Sequence, residues 1–406
     1  MSLALLAAAI VAGPVPVRFE PRGAGWALLR DGKPYVVRGV GGTGRMDELV
    51  ALGGNSVRTW GADNGERVLD SAQRHGLTVC MGIWLGHKSY FDYGNADQVR
   101  KQLADAEAVV RRLKDHPALL FWALGNEMEI GNDTPALWKA IEEMAQMVKR
   151  IDPNHPVITV VAEVGGAKLE SIRRYAPSID AVGVNSYGGL PTLGKRIAET
   201  GWKKPYLVTE FGTLGPWERP KTPWDAPLEP TSTEKAAWLR EGYEKSITGS
   251  PSCVGSYAFL WGDKQETTPT WFGLFLPETG ESVQGVDELA TLWTGKTPVR
   301  RAPQIAKLAW VGPNEVVAGG SLQASVQVKD PDGEAPRLRW VVRYEVAGRT
   351  YAGEGERRPD LVMGNLGSSA TVRFAAPKTP GPYRLYLYAY DGDGKAATGN
   401  LPFLVK

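Results

Sequence analysis

The chain has 406 residues, 43% of them hydrophobic and 23% charged, and 47 Lys+Arg against 45 Asp+Glu leave a formal net charge of +2. That balance belongs to a soluble globular protein of about two or three domains and excludes disorder, collagen and coiled coil. It shows none of the basic excess of a nucleic-acid or membrane-surface binder. Four scattered histidines and two scattered cysteines have no zinc-site spacing, so no metal or other cofactor is expected.

In chain order, Leu3–Val11 is an apolar run followed by Gly13, Pro14 and Pro16. It is too short to span a bilayer and suits the core of a signal peptide, although no Lys or Arg precedes it. Residues 1–13 are therefore expected to be a signal-peptide remnant, placing the protein in the periplasm or outside the cell; the alternative is a frayed terminus. Cys80 and Cys253 do not oppose export, because a chain of this size needs no disulfide staples. Residues 14–34 read as a short β-hairpin with Asp31-Gly32 as its turn, flanking or plugging one end of the large domain that begins near Lys33.

From Lys33 to about Pro298, apolar β-branched runs alternate with helical patterns. The spacing predicts eight strands: Tyr35–Val40, Asn55–Trp60, Leu77–Leu85, Ala118–Leu124, Pro156–Ala162, Ile179–Asn185, Pro205–Glu210 and Cys253–Trp261. Their near-continuous apolar character is that of parallel strands covered on both faces. Helix ends are marked by Gly76 after Gly65–His75, by Asp133 or Thr134 before Pro135, and by the capping box Thr231–Glu234. Eight strand–helix units predict a (β/α)8 TIM barrel over residues 14–300. A doubly wound sheet is the alternative, but no predicted strand is followed by a GxGxxG turn.

After Pro298 the periodicity changes to two, in Leu322–Val328, Arg339–Val346, Ala370–Phe374 and Tyr383–Tyr390, with Asp-Gly turns between. Residues 301–406 are expected to form an immunoglobulin-like β-sandwich that packs on the barrel's side and supplies no catalytic residue. Its Asp-rich turns read as tight turns, with incomplete calcium loops as the alternative.

Barrel enzymes place their chemistry where strands end at the C-terminal face. Those ends carry Arg58 and Trp60 (second strand), Trp84 (third), Trp122, Asn126 and Glu127 (fourth), Asn185 and Tyr187 (sixth), Glu210 (seventh) and Trp261 (eighth). Two carboxylates, a guanidinium, amides, a phenol and several indoles suit glycoside chemistry: one carboxylic acid protonates the leaving oxygen while the other group attacks or activates water. Indole faces stack on sugar rings. Glu129 and Glu163 also lie at or beyond strand ends and compete for the acid role. His87, Tyr90, Tyr93, Trp217 and Trp224 lie in loops that could wall a cleft.

At these residues the chain resembles the clan A (4/7 superfamily) glycoside hydrolases. Gly-Asn126-Glu127 matches their strand-4 Asn-Glu pair, and Thr-Glu210-Phe-Gly their strand-7 glutamate. The resemblance implies Glu127 as acid/base and Glu210 as nucleophile, Arg58 beside the nucleophile, Tyr187 hydrogen-bonding it, and Trp261 flooring the subsite of the reacting sugar. Asn55 through Glu127 looks most like the family 2 barrel, with some similarity to β-1,3-glucanosyltransferases. The expected function is a retaining hydrolase cleaving β-glycosidic bonds of a poly- or oligosaccharide, with Trp60, Trp84, Asn126 and Asn185 as further substrate-binding residues. The alternatives are a β-glucan transglycosylase using the same residues and an inactive glycan-binding protein. The expected partner is a β-linked carbohydrate, with no nucleic acid, membrane span or obligate protein partner.

Overall fold

The computed structural model describes residues 13–346 and 356–406; the apolar run Leu3–Val11, expected as a signal remnant, lies outside them. Eight parallel strands close into a barrel: β1 Val37–Gly41, β2 Ser56–Arg58, β3 Thr78–Ile83, β4 Leu119–Leu124, β5 Val157–Ala162, β6 Ala181–Asn185, β7 Tyr206–Phe211 and β8 Cys253–Ala258. Closure comes from β8 pairing with β1, Gly255 opposite Val37. Closure removes the doubly wound alternative. Every residue of β3, β4 and β7 is buried, which is why these segments read as unbroken apolar runs.

The helix Gly65–Arg74 stops before Gly76, whose φ of +69° only glycine adopts cheaply. Thr134, not Asp133, caps Pro135–Ile151 by accepting the Leu137 N–H; Asp133 accepts from the Trp138 indole at 2.6 Å. Thr231 and Glu234 form the expected capping box of Ser232–Gly242.

At the N-terminus, Val17–Arg22 pairs with Gly25–Arg30 around Gly23-Ala24, and Asp31-Gly32 is a second turn leading into Lys33–Pro34. Asp31-Gly32 is thus a hairpin turn as expected, between Gly25–Arg30 and Lys33–Pro34, and Gly23-Ala24 is another in the same sheet. Val17 and Leu28 pack with Val37, Cys80, Leu120 and Phe121, residues at or near strand starts, and so plug the barrel end opposite the strand termini.

Beyond Pro298 two sheets face one another. One contains Gln304–Trp310, Ser321–Lys329 and Thr371–Ala375; the other contains Arg337–Tyr344, Leu361–Met363, Gly381–Tyr390 and Lys395–Val405. Leu385 and Leu387 enter the core between the sheets, whereas Tyr386, Tyr388 and Tyr390 on the opposite face join the barrel's own core. The two-residue strand Ser282–Val283 extends the edge at Lys395–Val405, covering backbone groups that would otherwise be open. Buried polar contacts complete the junction. Arg384 donates to Glu345 at 2.9 Å and to the Pro227 carbonyl at 3.0 Å, while Asn400 donates to Glu229 and Lys395 pairs with Asp287. In the Asp-rich turns Asp391 accepts the Asp393 and Lys395 N–H groups and Asp330 the Asp332 N–H, while Asp332 reaches out of its turn to accept from Arg301.

Candidate active site

Beyond β4 the backbone turns through the left-handed region twice, at Gly125 (φ +68°) and Glu127 (φ +56°). A non-glycine residue held there is strained, and such strain persists where the surroundings over-determine it. Here the Glu127 N–H is bound to the Val160 carbonyl of β5 at 2.9 Å.

Glu210, near the end of β7, is almost fully enclosed by donors. Arg58, 1% exposed, donates to its Oε1 at 2.9 Å, and the Trp60 indole donates to the same oxygen at 2.8 Å. The Tyr187 hydroxyl donates to Oε2 at 2.7 Å. Arg58 also reaches the Thr209 carbonyl at 2.8 Å and Asn126 Oδ1 at 2.7 Å, so the guanidinium locks β2, β4 and β7 together. Burial and the charge of Glu210 push the Tyr187 phenol well above its ordinary pKa, keeping it a donor.

Glu127 meets the opposite treatment. Its Oε1 accepts one hydrogen bond, from Asn185 Nδ2 at 2.8 Å; the same amide donates to Asn126 Oδ1 at 3.1 Å and its oxygen accepts from Thr209 at 2.8 Å. Burial, then repulsion from Glu210, push the Glu127 carboxyl up to about 7 against the pull of the Asn185 bond. One mouth therefore holds a charge-paired carboxylate and an acid poised near neutrality.

Both glutamates line a cleft of about 580 Å³ together with Trp60, Trp84, Asn126 and Tyr187. Asn185 sits behind Glu127 and also lines an adjoining cavity. Trp261 does not reach the cleft. Strand β8 ends at Ala258, earlier than expected, and the chain then leaves the ladder. Trp261 consequently turns into the core, 3% exposed, with its indole N–H on the Gly44 carbonyl at 3.0 Å. Phe259 and Leu260 line the cleft in its stead. Trp122 is also core, fully buried and donating to Asp152 at 2.8 Å. The competing acids have other partners: Glu129 is buried against Lys168 and the Ala162 N–H, and Glu163 pairs with Arg196.

Among the loop aromatics, His87 and Trp217 reach the cleft, whereas Tyr93 is buried on the Gly86 carbonyl and Trp224 is not among the cleft residues. Phe259 and Leu260 fall inside the eighth strand the spacing predicts but have no role in that reading, and Lys264 and Glu266, from the loop after β8, are missed altogether. Nothing in their spacing marks them; only their position just beyond a strand end could have. Lys264 pairs with Glu266 at 2.5 Å, and Lys88, at the rim, donates to the Gly131 carbonyl at 2.6 Å.

Fold and site together define a TIM barrel with two differently tuned glutamates at its C-terminal mouth. Residues 46–215 match the family model described as glycosyl hydrolases family 2, TIM barrel domain, a span holding Arg58, Glu127 and Glu210. Over 177 residues the chain is 29% identical to the β-glucuronidase of Pongo abelii and 32% identical to that of Rattus norvegicus, covering 40% of this chain and 26% of each relative. The β-glucuronidase of Paenibacillus borealis is 27% identical over 183 residues, covering 40% of this chain and 30% of that protein. The matched part thus spans less than a third of these relatives' length. Among solved structures, a β-glucuronidase of Bacteroides uniformis superposes with a TM-score of 0.52 at 12% identity, over 96% of this chain and 48% of that one. A β-galacturonidase of Eisenbergiella tayi bound to galacturonate gives 0.52 at 18% identity, over 70% of this chain and 55% of that one. At these identities the structural likeness is one of fold.

Proposed function

We propose that the protein is a retaining glycoside hydrolase that cleaves β-glycosidic bonds by double displacement. The opposite treatment of two glutamates that line one cleft carries this reading. Glu210 is wrapped by Arg58, Trp60 and Tyr187, while Glu127 is pushed up to about 7. In the first step the Glu210 carboxylate attacks the anomeric carbon as Glu127 gives its proton to the departing oxygen. In the second, Glu127, now ionised, takes a proton from water, whose oxygen displaces Glu210. Glycosylation of Glu210 removes the negative charge that helps hold the Glu127 proton, so the acid of step one becomes the base of step two.

The family 2 match supports glycoside hydrolysis; membership of clan A and the likeness to glucanosyltransferases belong to the same reading. Residues 14–300 are read as the catalytic domain, 301–406 as an immunoglobulin-like module, and the apolar start as an export signal. The relatives named for uronic acids make the sugar's charge the first question. Lys264 is already paired with Glu266, so Lys88 is the rim cation best placed for a carboxylate. The test is a panel of aryl β-glycosides of neutral sugars and uronic acids, with β-glucan, mannan and xylan beside them. Turnover with a β-configured first product, lost in Glu210→Gln, supports the proposal. An α-configured first product, or turnover unchanged in Glu210→Gln, overturns it.

A further inference from the structure

The central cleft does not end at the two glutamates. On one side, Trp84 is shared with a second cavity of about 680 Å³ between the loops after β2 and β3 and the helix Ala96–Leu113. On the other, Glu127, Tyr187 and Trp217 are shared with a third cavity of about 240 Å³ that also takes in Glu163 and Glu218.

At each junction stands an indole that is 47% exposed, Trp84 toward the second cavity and Trp217 toward the third. A ligand that stacked on either ring would remove aromatic surface from water, which is favourable. Neither ring is loose. The Trp84 indole donates to the Tyr90 hydroxyl at 2.9 Å and packs on His87 with ring centroids 5.1 Å apart. Trp217 stands edge-on to Tyr187 at 5.8 Å, and its short helical turn is pinned by the Glu218 carboxylate, which accepts the Gly188 and Gly215 N–H groups. Half-exposed faces that are already fixed lose little entropy when something stacks on them.

Resting on the glycosidase reading, we infer that the substrate is a β-linked chain occupying sites on both sides of the cleaved bond, with Trp84 and Trp217 as its two stacking platforms. The acid Glu127 lines the Trp217 cavity and Glu210 does not, so that cavity receives the leaving part of the chain. The Trp84 side receives the part that becomes bonded to Glu210. Cleavage then falls within an oligosaccharide, and remote stacking energy is used in the transition state.

The experiment uses end-labelled β-glucan, mannan and xylan oligosaccharides of two to six sugars with the full chain, reading kcat/KM and product sizes. On the sugar that is cleaved, kcat/KM should rise by about tenfold or more from the disaccharide to the longest chain, with internal products. The ratio of long-chain to disaccharide kcat/KM should collapse in Trp84→Ala and in Trp217→Ala and recover in the Phe variants. No gain with length, or release of single terminal sugars only, overturns the inference. So does an unchanged ratio in both Ala variants. An activated aryl 2-fluoroglycoside separates this from the function itself. Covalent labelling without any oligosaccharide cleavage overturns the chain-length inference alone; neither labelling nor cleavage overturns both.

Discussion

Glu127 and Glu210 are the same side chain given different work by their neighbours, and that difference predicts how each responds to pH and mutation. Glu127 must be protonated to act as an acid, and its carboxyl is pushed up to about 7. Turnover of unactivated glycosides should therefore fall as pH rises through about 7. The same burial acts on stability. The folded protein holds this proton at pH values where the unfolded chain has released it, so the contribution is complete below the ordinary carboxylate pKa and is lost as pH rises to about 7. Glu127→Gln should flatten that part of the Tm-against-pH profile. Tyr187→Phe removes one donor to Glu210 and should lower kcat by roughly 10- to 100-fold, the worth of a hydrogen bond to a charged group, with the fold intact by circular dichroism. At this scale the sequence was informative where strand order alone set the position, as for Arg58, Glu127 and Glu210. It misled at Trp261 and left Trp122 undecided between mouth and core. A strand that stops early redirects every side chain after it, and strand alternation sends an indole to the core as readily as to the mouth.

The elements that build the mouth are legible because each has a local physical signature: unbroken apolar runs for the parallel strands, Thr231 with Glu234 for a helix start, Gly76 for a helix end. The loops after β7 and β8 have no such signature. Their anchoring comes largely from side chains far away in sequence: besides the nearby Lys235, Glu229 accepts from Thr268, Thr270 and Asn400, and Arg384 holds the Pro227 carbonyl. Arg384 is fully buried beside Glu345, so Arg384→Met takes the guanidinium out of a buried ion pair. The expected cost is about 3–5 kcal/mol, read as a Tm lowered by several degrees. Arg384→Met combined with Glu345→Leu should recover part of that loss, because the buried carboxylate goes too. A double variant no more stable than the single one would mean that the arginine's packing, not its charge, is what matters.

The whole molecule is a barrel plugged at one end by its N-terminal hairpin, open at the other, and clasped along one side by the two-sheet module. The barrel and the module's β character follow from periodicity. The clasp does not, because Tyr386, Tyr388 and Tyr390 alternate like any sandwich strand and only the tertiary fold shows that their face meets the barrel. Among the described residues, none beyond Arg300 lines the central cleft, and Glu356 reaches its edge only indirectly, accepting the Thr267 N–H beside Glu266. Truncation after Arg300 should lower Tm and promote aggregation by uncovering that aromatic seam. The fraction that remains folded should still turn over a small aryl glycoside. Complete loss of turnover in a folded truncate would show that the loops after β7 and β8 need the clasp to form the mouth.

The division of labour between the two glutamates is tested most directly by the anomeric form of an azide adduct. With an activated aryl β-glycoside and added azide, Glu127→Ala should accumulate the glycosyl-enzyme and release a β-glycosyl azide. Azide attacks that intermediate from the face the aglycone left, and no general base is needed. Glu210→Ala, which cannot form the intermediate, should give the inverted α-glycosyl azide. The reverse pairing of variant and anomer would contradict the assignment, as would a Glu127→Ala variant that handles unactivated glycans like the wild type.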